Sequence, residues 1–253
     1  MSKGLRFTFN LVQGLVTMAL SLVVVAAFIA SRDGHLAHEA RLRLWPALIH
    51  IWITFLTSLL LSTRYRANLG SEAELLPALF LTIVLANIKI LPLHQAITGI
   101  FLLDGEVLTF IYHGSLLYTS FLFLLGSLLF VRLSPSRIGF MTFVGAAGSA
   151  LLALLVPSSP NDPSFLLEAG ISDPLFLSIC IALTALAALT CLMTALGEHT
   201  NRETRFKTVA FLLLAVGNAF VSISQRTVYN IFGLLLYGAG ATALVLASRS
   251  YHL

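Results

Sequence analysis

The chain has 253 residues, of which 58% are hydrophobic and only 10% charged, and its mean hydropathy is +0.93. Soluble domains carry about 25% charged residues, so too few charges are available here to coat a water-exposed fold. The net charge of +4 is spread over short segments rather than gathered in a patch, which excludes a nucleic-acid surface and fits orientation signals beside lipid headgroups.

This composition predicts an all-α integral membrane protein, a bundle of about eight transmembrane helices. Residues 1–253 then form a single polytopic domain with short loops and no soluble domain. The first apolar run, Phe7 to Ala30, follows Lys3 and Arg6. It exceeds the roughly 7–15-residue core of a secretory signal, so it reads as an uncleaved span. Further spans are predicted at 44–63, 75–93, 107–131, 138–156, 174–196, 208–224 and 228–247. Only "QRT" (225–227) separates the last two, and "VVVAAFIAS" ends the first on small residues that suit a signal peptidase. Fusion of the last pair or cleavage of the first would leave seven spans. The stretch "HQAITGIFLL" (94–103) has three open readings: an extension of the third span, an interfacial segment, or a re-entrant one.

Eight spans place both termini on one side. That side collects Lys3, Arg6, Arg64, Arg66, Arg132, Arg137, Arg202, Arg205, Lys207 and Arg249, ten in all. The other side has Arg32, Arg41, Arg43, Arg226 and, at its edge, Lys89, which is five. The asymmetry predicts cytoplasmic termini, and the loop content points to a bacterial inner membrane. The loop 157–173, without Lys or Arg, falls outside as the rule requires, whereas three arginines in "SRDGHLAHEARLR" run against it. No hydrophilic stretch approaches the 40 or so residues that a small autonomous fold needs.

The candidate site lies in "LANIKILPLH" (85–94). A lysine at the centre of a membrane helix costs about 2.5–3.5 kcal/mol on insertion scales, so Lys89 needs a reason to be there. Either it snorkels to the non-cytoplasmic interface, or it faces a water-filled cavity or a carboxylate on another helix. Asp104 and Glu106 are the nearest acids, and both also suit the start of the fourth span, where a helix N-terminus stabilises negative charge. Asn87, Lys89, His94 and Gln95 surround Pro92, which frees a backbone carbonyl one turn earlier. On an unbroken helix Asn87 and His94 share a face while Lys89 points about 160° away from His94.

His50 and His113 fall in two further spans, and Asn218 with Ser222 lies one turn apart in the seventh. These complete the expected ligand or ion pathway: Asn87, Lys89, His94, Gln95, His50, His113 and Asn218. No catalytic residue is assigned. There is no metalloprotease spacing, and His35 with His38 reads as solvated loop, so neither metal nor cofactor is expected. Cys180 and Cys191 are eleven residues apart, about 16 Å along a helix, too far to pair within it. Gly145 with Ser149 and Gly238 with Thr242 are spaced for close helix packing, and Gly126, Gly217 and Gly233 are expected to serve likewise. Residues 208–247 contain no lysine, which excludes a retinal protein of the microbial rhodopsin type.

The function expected from this pattern is a small-solute transporter or permease, or a membrane subunit of one. The alternative is a sensor or interaction module acting through a partner protein. An intramembrane lipid-modifying enzyme ranks last, because the spans after residue 107 hold no carboxylate for acid–base work. The partners are the bilayer and, for a subunit, other membrane chains or a homo-oligomer; nucleic acid is not among them.

Overall fold

The computed structural model describes residues 3–30, 36–64, 72–100, 102–129, 138–156, 174–197, 202–224 and 226–248. Among these residues the protein is all-helical, with no strand. The helices are α1 (Lys3–Ala30), α2 (Leu36–Arg64), α3 (Glu72–Ala86), α4 (Ile90–Thr98), α5 (Gly105–Leu129), α6 (Ile138–Leu155), α7 (Pro174–Leu196), α8 (Arg202–Ile223) and α9 (Thr227–Ala247). A 3₁₀ turn, Asn87–Lys89, joins α3 to α4.

Eight spans among the described residues are long and apolar enough to cross a membrane, α3, the turn and α4 together supplying the third. This suggests an integral membrane protein. Helices are what such sequences must form in lipid, where each backbone N–H and C=O needs an internal partner. The break between the last two spans is real, falling at 224–226. The expected span 44–63 is matched by Leu44–Thr63 although α2 itself begins at Leu36, and the seventh span begins at Arg202 rather than 208. The acidic loop 157–173 and residues 31–35, with Arg32 and His35, lie outside the described residues.

Of the stretch 94–103, residues 94–98 continue the helix of the third span. Helix α4 carries the third span on to Thr98 and stops at Gly99, whose φ of 71° is left-handed. Gly99 N donates to Gln95 O at 2.8 Å, closing the last turn. The interruption before α4 has a cause in the sequence. Pro92 has no N–H to give Ile88 O, and the chain tightens into 3₁₀ geometry one turn earlier. There the Asn87 side chain donates to Ile83 O at 2.8 Å, an acceptor in the turn before.

Successive spans alternate in direction, and two clusters of buried side chains form, one toward each end. One gathers Leu61, Leu75, Leu79, Phe80, Leu122, Phe123, Phe211 and Leu214. The other gathers Val24, Leu44, Ile51, Ile88, Leu91, Tyr112, Leu116 and Phe176, near where α4 and α8 finish and α2, α5 and α9 start. Helix α5 touches α3, α6, α7 and α8, while α2 packs on α1, α3 and α9.

The α8–α9 pair is the closest in the bundle, and glycine makes it so. A Cβ on Gly217 would run into Tyr237 N and lie 2.7 Å from Gly233 O; one on Gly240 would lie 2.7 Å from Ala210 O and Leu214 N. Gly145 and Ser149 are buried as expected, with the Phe121 ring filling the space a Gly145 side chain would take. The Gly238–Thr242 pair behaves otherwise. Nothing but Ile53 Cδ1, at 3.8 Å, approaches Gly238, and Thr242 is exposed. Gly238 instead lines an apolar groove of about 620 Å³ between α2 and α9, with Trp45, Ile49 and Leu235. The packing face of α9 is set by Gly233, Tyr237 and Gly240, one turn apart or less, and Gly238 is rotated off it.

Candidate functional site

The polar residues of the third span part company at the 3₁₀ turn. Asn87, 2% exposed, points toward α2, where its Nδ2 donates to His50 Nδ1 at 3.1 Å. The same amide nitrogen holds Ile83 O, so its orientation is set and Nδ1 of His50 must accept. A neutral His50 ring then carries its proton on Nε2. That atom is buried without a hydrogen-bond partner among the described residues. The ring meets Tyr237 of α9 edge to face, centroids 4.5 Å apart, and the Tyr237 hydroxyl lies 2.9 Å from Thr54 Oγ1. Thr54 also donates to His50 O at 2.7 Å, one turn back on α2. Three helices thus meet through a chain of neutral polar groups.

Lys89 takes the opposite direction. Its Nζ donates to Val221 O at 2.6 Å and to Ser222 O at 3.2 Å, the last carbonyls of α8. Those carbonyls lie beyond the reach of intrahelical donors and carry the negative end of the helix dipole. Tyr112 of α5 donates to the same Ser222 O at 3.2 Å, and Ser222 Oγ lies 3.4 Å from Asn218 Oδ1. With its amide turned to donate, Asn230 of α9 reaches Phe220 O at 3.1 Å and Ser224 O at 3.2 Å. Side chains from three other elements therefore cover the exit of α8.

A lysine reaching out to the headgroups does not describe this. Lys89 is half-buried, near the end of its span as a snorkelling lysine would be, yet its ammonium turns sideways onto backbone carbonyls. The carboxylate alternative is corrected as well: Asp104 and Glu106 are exposed at the start of α5, with Asp104 O accepting from Leu108 N.

Of the expected pathway residues, the structure joins His50 to Asn87, and Lys89 to the α8 terminus beside Asn218. It leaves His94, Gln95 and His113 apart. His94 is buried, but its bond is to Thr98 of its own helix, at 3.4 Å. Gln95 is half-buried on α4. His113 Nδ1 lies 2.8 Å from Thr109 O on its own helix, and its ring packs edge-on against Phe176 of α7. Thr54, Tyr237 and Asn230 were not among the expected residues. The only sequence signal for them was the general need of a buried tyrosine or amide for a partner. Among the described residues no three His, Cys, Asp or Glu side chains come together as metal ligands would. Cys180 and Cys191 are both buried and free.

Among the described residues the arrangement offers hydrogen-bond donors and acceptors and one ammonium. No family model, no curated protein and no solved structure matches this chain.

Proposed function

We propose that this protein is a small-solute transporter or permease, or the membrane subunit of one, in a bacterial cytoplasmic membrane with both termini inside. The observation that carries this reading is the broken third span. Its 3₁₀ turn lies within the 78%-buried window Leu75–Gln95, and two of its three side chains bond to different neighbouring spans. Interrupted helices with polar groups at the break are how membrane transporters build solute and ion sites, because freed backbone groups become ligands. The excess of Lys and Arg at the termini side supports the orientation.

The test uses single cysteines at 85 to 95 in a chain lacking Cys180 and Cys191, each challenged with a charged, membrane-impermeant thiol reagent. A transporter labels along one face that includes position 87, well inside the span. Labelling confined to positions beyond 89, on every face, removes the aqueous pathway and with it this reading.

A second reading, a subunit that works through a partner, is favoured by a different observation. Spans α6 and α7 are each only 22% buried and expose Phe140, Phe143, Leu154, Leu175 and Met193. Co-purification of a second membrane chain that covers these helices would favour it.

A further inference from the structure

We propose that the carbonyls of Val221 and Ser222, with the Tyr112 hydroxyl beside them, form a recognition site for a primary ammonium group, of which Lys89 is the tethered occupant. The exit of α8 presents acceptors that its own backbone cannot satisfy, and their partial negative charge favours a cation. Lys89 Nζ sits on two of them at 2.6 and 3.2 Å, distances suited to N–H···O bonds. Tyr112 donates to the same Ser222 O at 3.2 Å, so a phenol hydroxyl and the ammonium share one acceptor.

The chemistry selects an ammonium over a metal ion. Two carbonyls from successive residues of one helix point along a common axis, whereas hard cations collect several oxygens that converge from different directions. Among the described residues no carboxylate bonds Lys89, and the group is held by dipoles and hydrogen bonds. Such a site exchanges one N–H donor for another without stranding a buried acid.

The tether is also built to let go. Lys89 ends a three-residue 3₁₀ turn that exists because Pro92 follows, and its four-carbon stem has many rotamers. A free amine-bearing solute that took the two carbonyls would release Lys89, and with it the bond between the broken span and α8. That this exchange occurs during transport rests on the function proposed above; the ammonium site itself does not.

The experiment uses the full-length chain in lipid nanodiscs. Lys89→Ala removes the equivalent of n-propylammonium, so n-propylammonium chloride should refill the space. The Tm of this variant is expected to rise by about 3 °C or more relative to the same concentration of tetramethylammonium chloride, which has no N–H, while the wild type, whose site is held by the tethered Lys89, shows a smaller difference. Equal effects of the two salts on the variant, or equal responses of variant and wild type, overturn the proposal. A second measurement follows the wild-type chain itself. The chain contains three lysines, Lys3, Lys89 and Lys207, so ¹⁵Nζ labelling yields a spectrum that Lys89→Arg assigns. Titration with n-propylammonium should shift the Lys89 signal as it is displaced, and tetramethylammonium should not. A Lys89 signal unmoved by both refutes the exchange. Amine binding without amine uptake in proteoliposomes would discard the transport reading and leave the site standing.

Discussion

The two halves of the bundle are joined by different physics. Toward the end where α3 begins and α5 finishes, Leu75, Leu79, Phe80, Leu122, Phe123, Phe211 and Leu214 interlock with scarcely a polar atom among them. Gly240 brings α9 onto the backbone of α8 in that half. Toward the other end, His50, Asn87, Lys89 and Asn230 are set among aliphatic side chains and bond across helices. Lipid provides no hydrophobic drive between helices, so the first half is held by close contact, and the second adds directional bonds to the close approach of Gly217 and Gly233. Close contact falls away as soon as the surfaces separate. A hydrogen bond can be traded for another, which is what a site that binds and releases requires.

That comparison can be broken at five points. The largest effect is expected for Phe123→Ala in the interlocked half, a loss of about 4 kcal/mol, read as a drop in thermal stability in nanodiscs. A loss below 1 kcal/mol would show that this half is loosely packed. Gly240→Ala should cost about 3 kcal/mol, because the new methyl meets Ala210 O and Leu214 N, backbone atoms that cannot swing aside.

Lys89→Met keeps the stem but strips the α8 carbonyls of their charged donor, at an expected cost of about 2 kcal/mol. If stability is unchanged in denaturant or thermal melts, Lys89 is not bonding α8. Asn87→Leu alone leaves His50 Nδ1 without its donor and should cost about 1–2 kcal/mol, whereas Asn87→Leu with His50→Leu should recover most of it. A double-mutant cycle returning no coupling would dissolve the pair. The smallest effect is predicted for Gly238→Ala, within about 0.5 kcal/mol, since the methyl enters the open α2–α9 groove. Similar losses at Gly238 and Gly240 would erase the distinction between the two faces of α9.

How far the sequence reaches differs from element to element. Span positions follow from runs of apolar residues about 20 long, and all eight are present as helices. The end of α4 was equally written in the chain, in Thr98 and Gly99, but "HQAITGIFLL" is apolar enough for three placements and hydropathy could not choose among them. The glycines show the limit most clearly. Gly238 and Thr242 have the right spacing for an interface and lie off it, while Gly240, two residues away, makes the tight contact. Spacing reports periodicity along one helix and is blind to which side a neighbour occupies.

The site obeys the same limit. Composition and local pattern alone determined that this chain is a bundle of membrane-length helices, that Pro92 frees a backbone carbonyl in the third, and that Lys89 points away from the face Asn87 shares with His94 on a continuous helix. Each of these depends on bonds between residues at most a few positions apart. Only the tertiary structure decided that Lys89 meets Val221 and Ser222, 132 and 133 positions onward, and that His50 meets Asn87 and Tyr237. The acceptors of Lys89 are backbone carbonyls, which every residue possesses. What distinguishes these is their position at the end of α8 and the arrival of α5, α9 and the 3₁₀ turn beside it, and no side-chain pattern records where a helix end will be met.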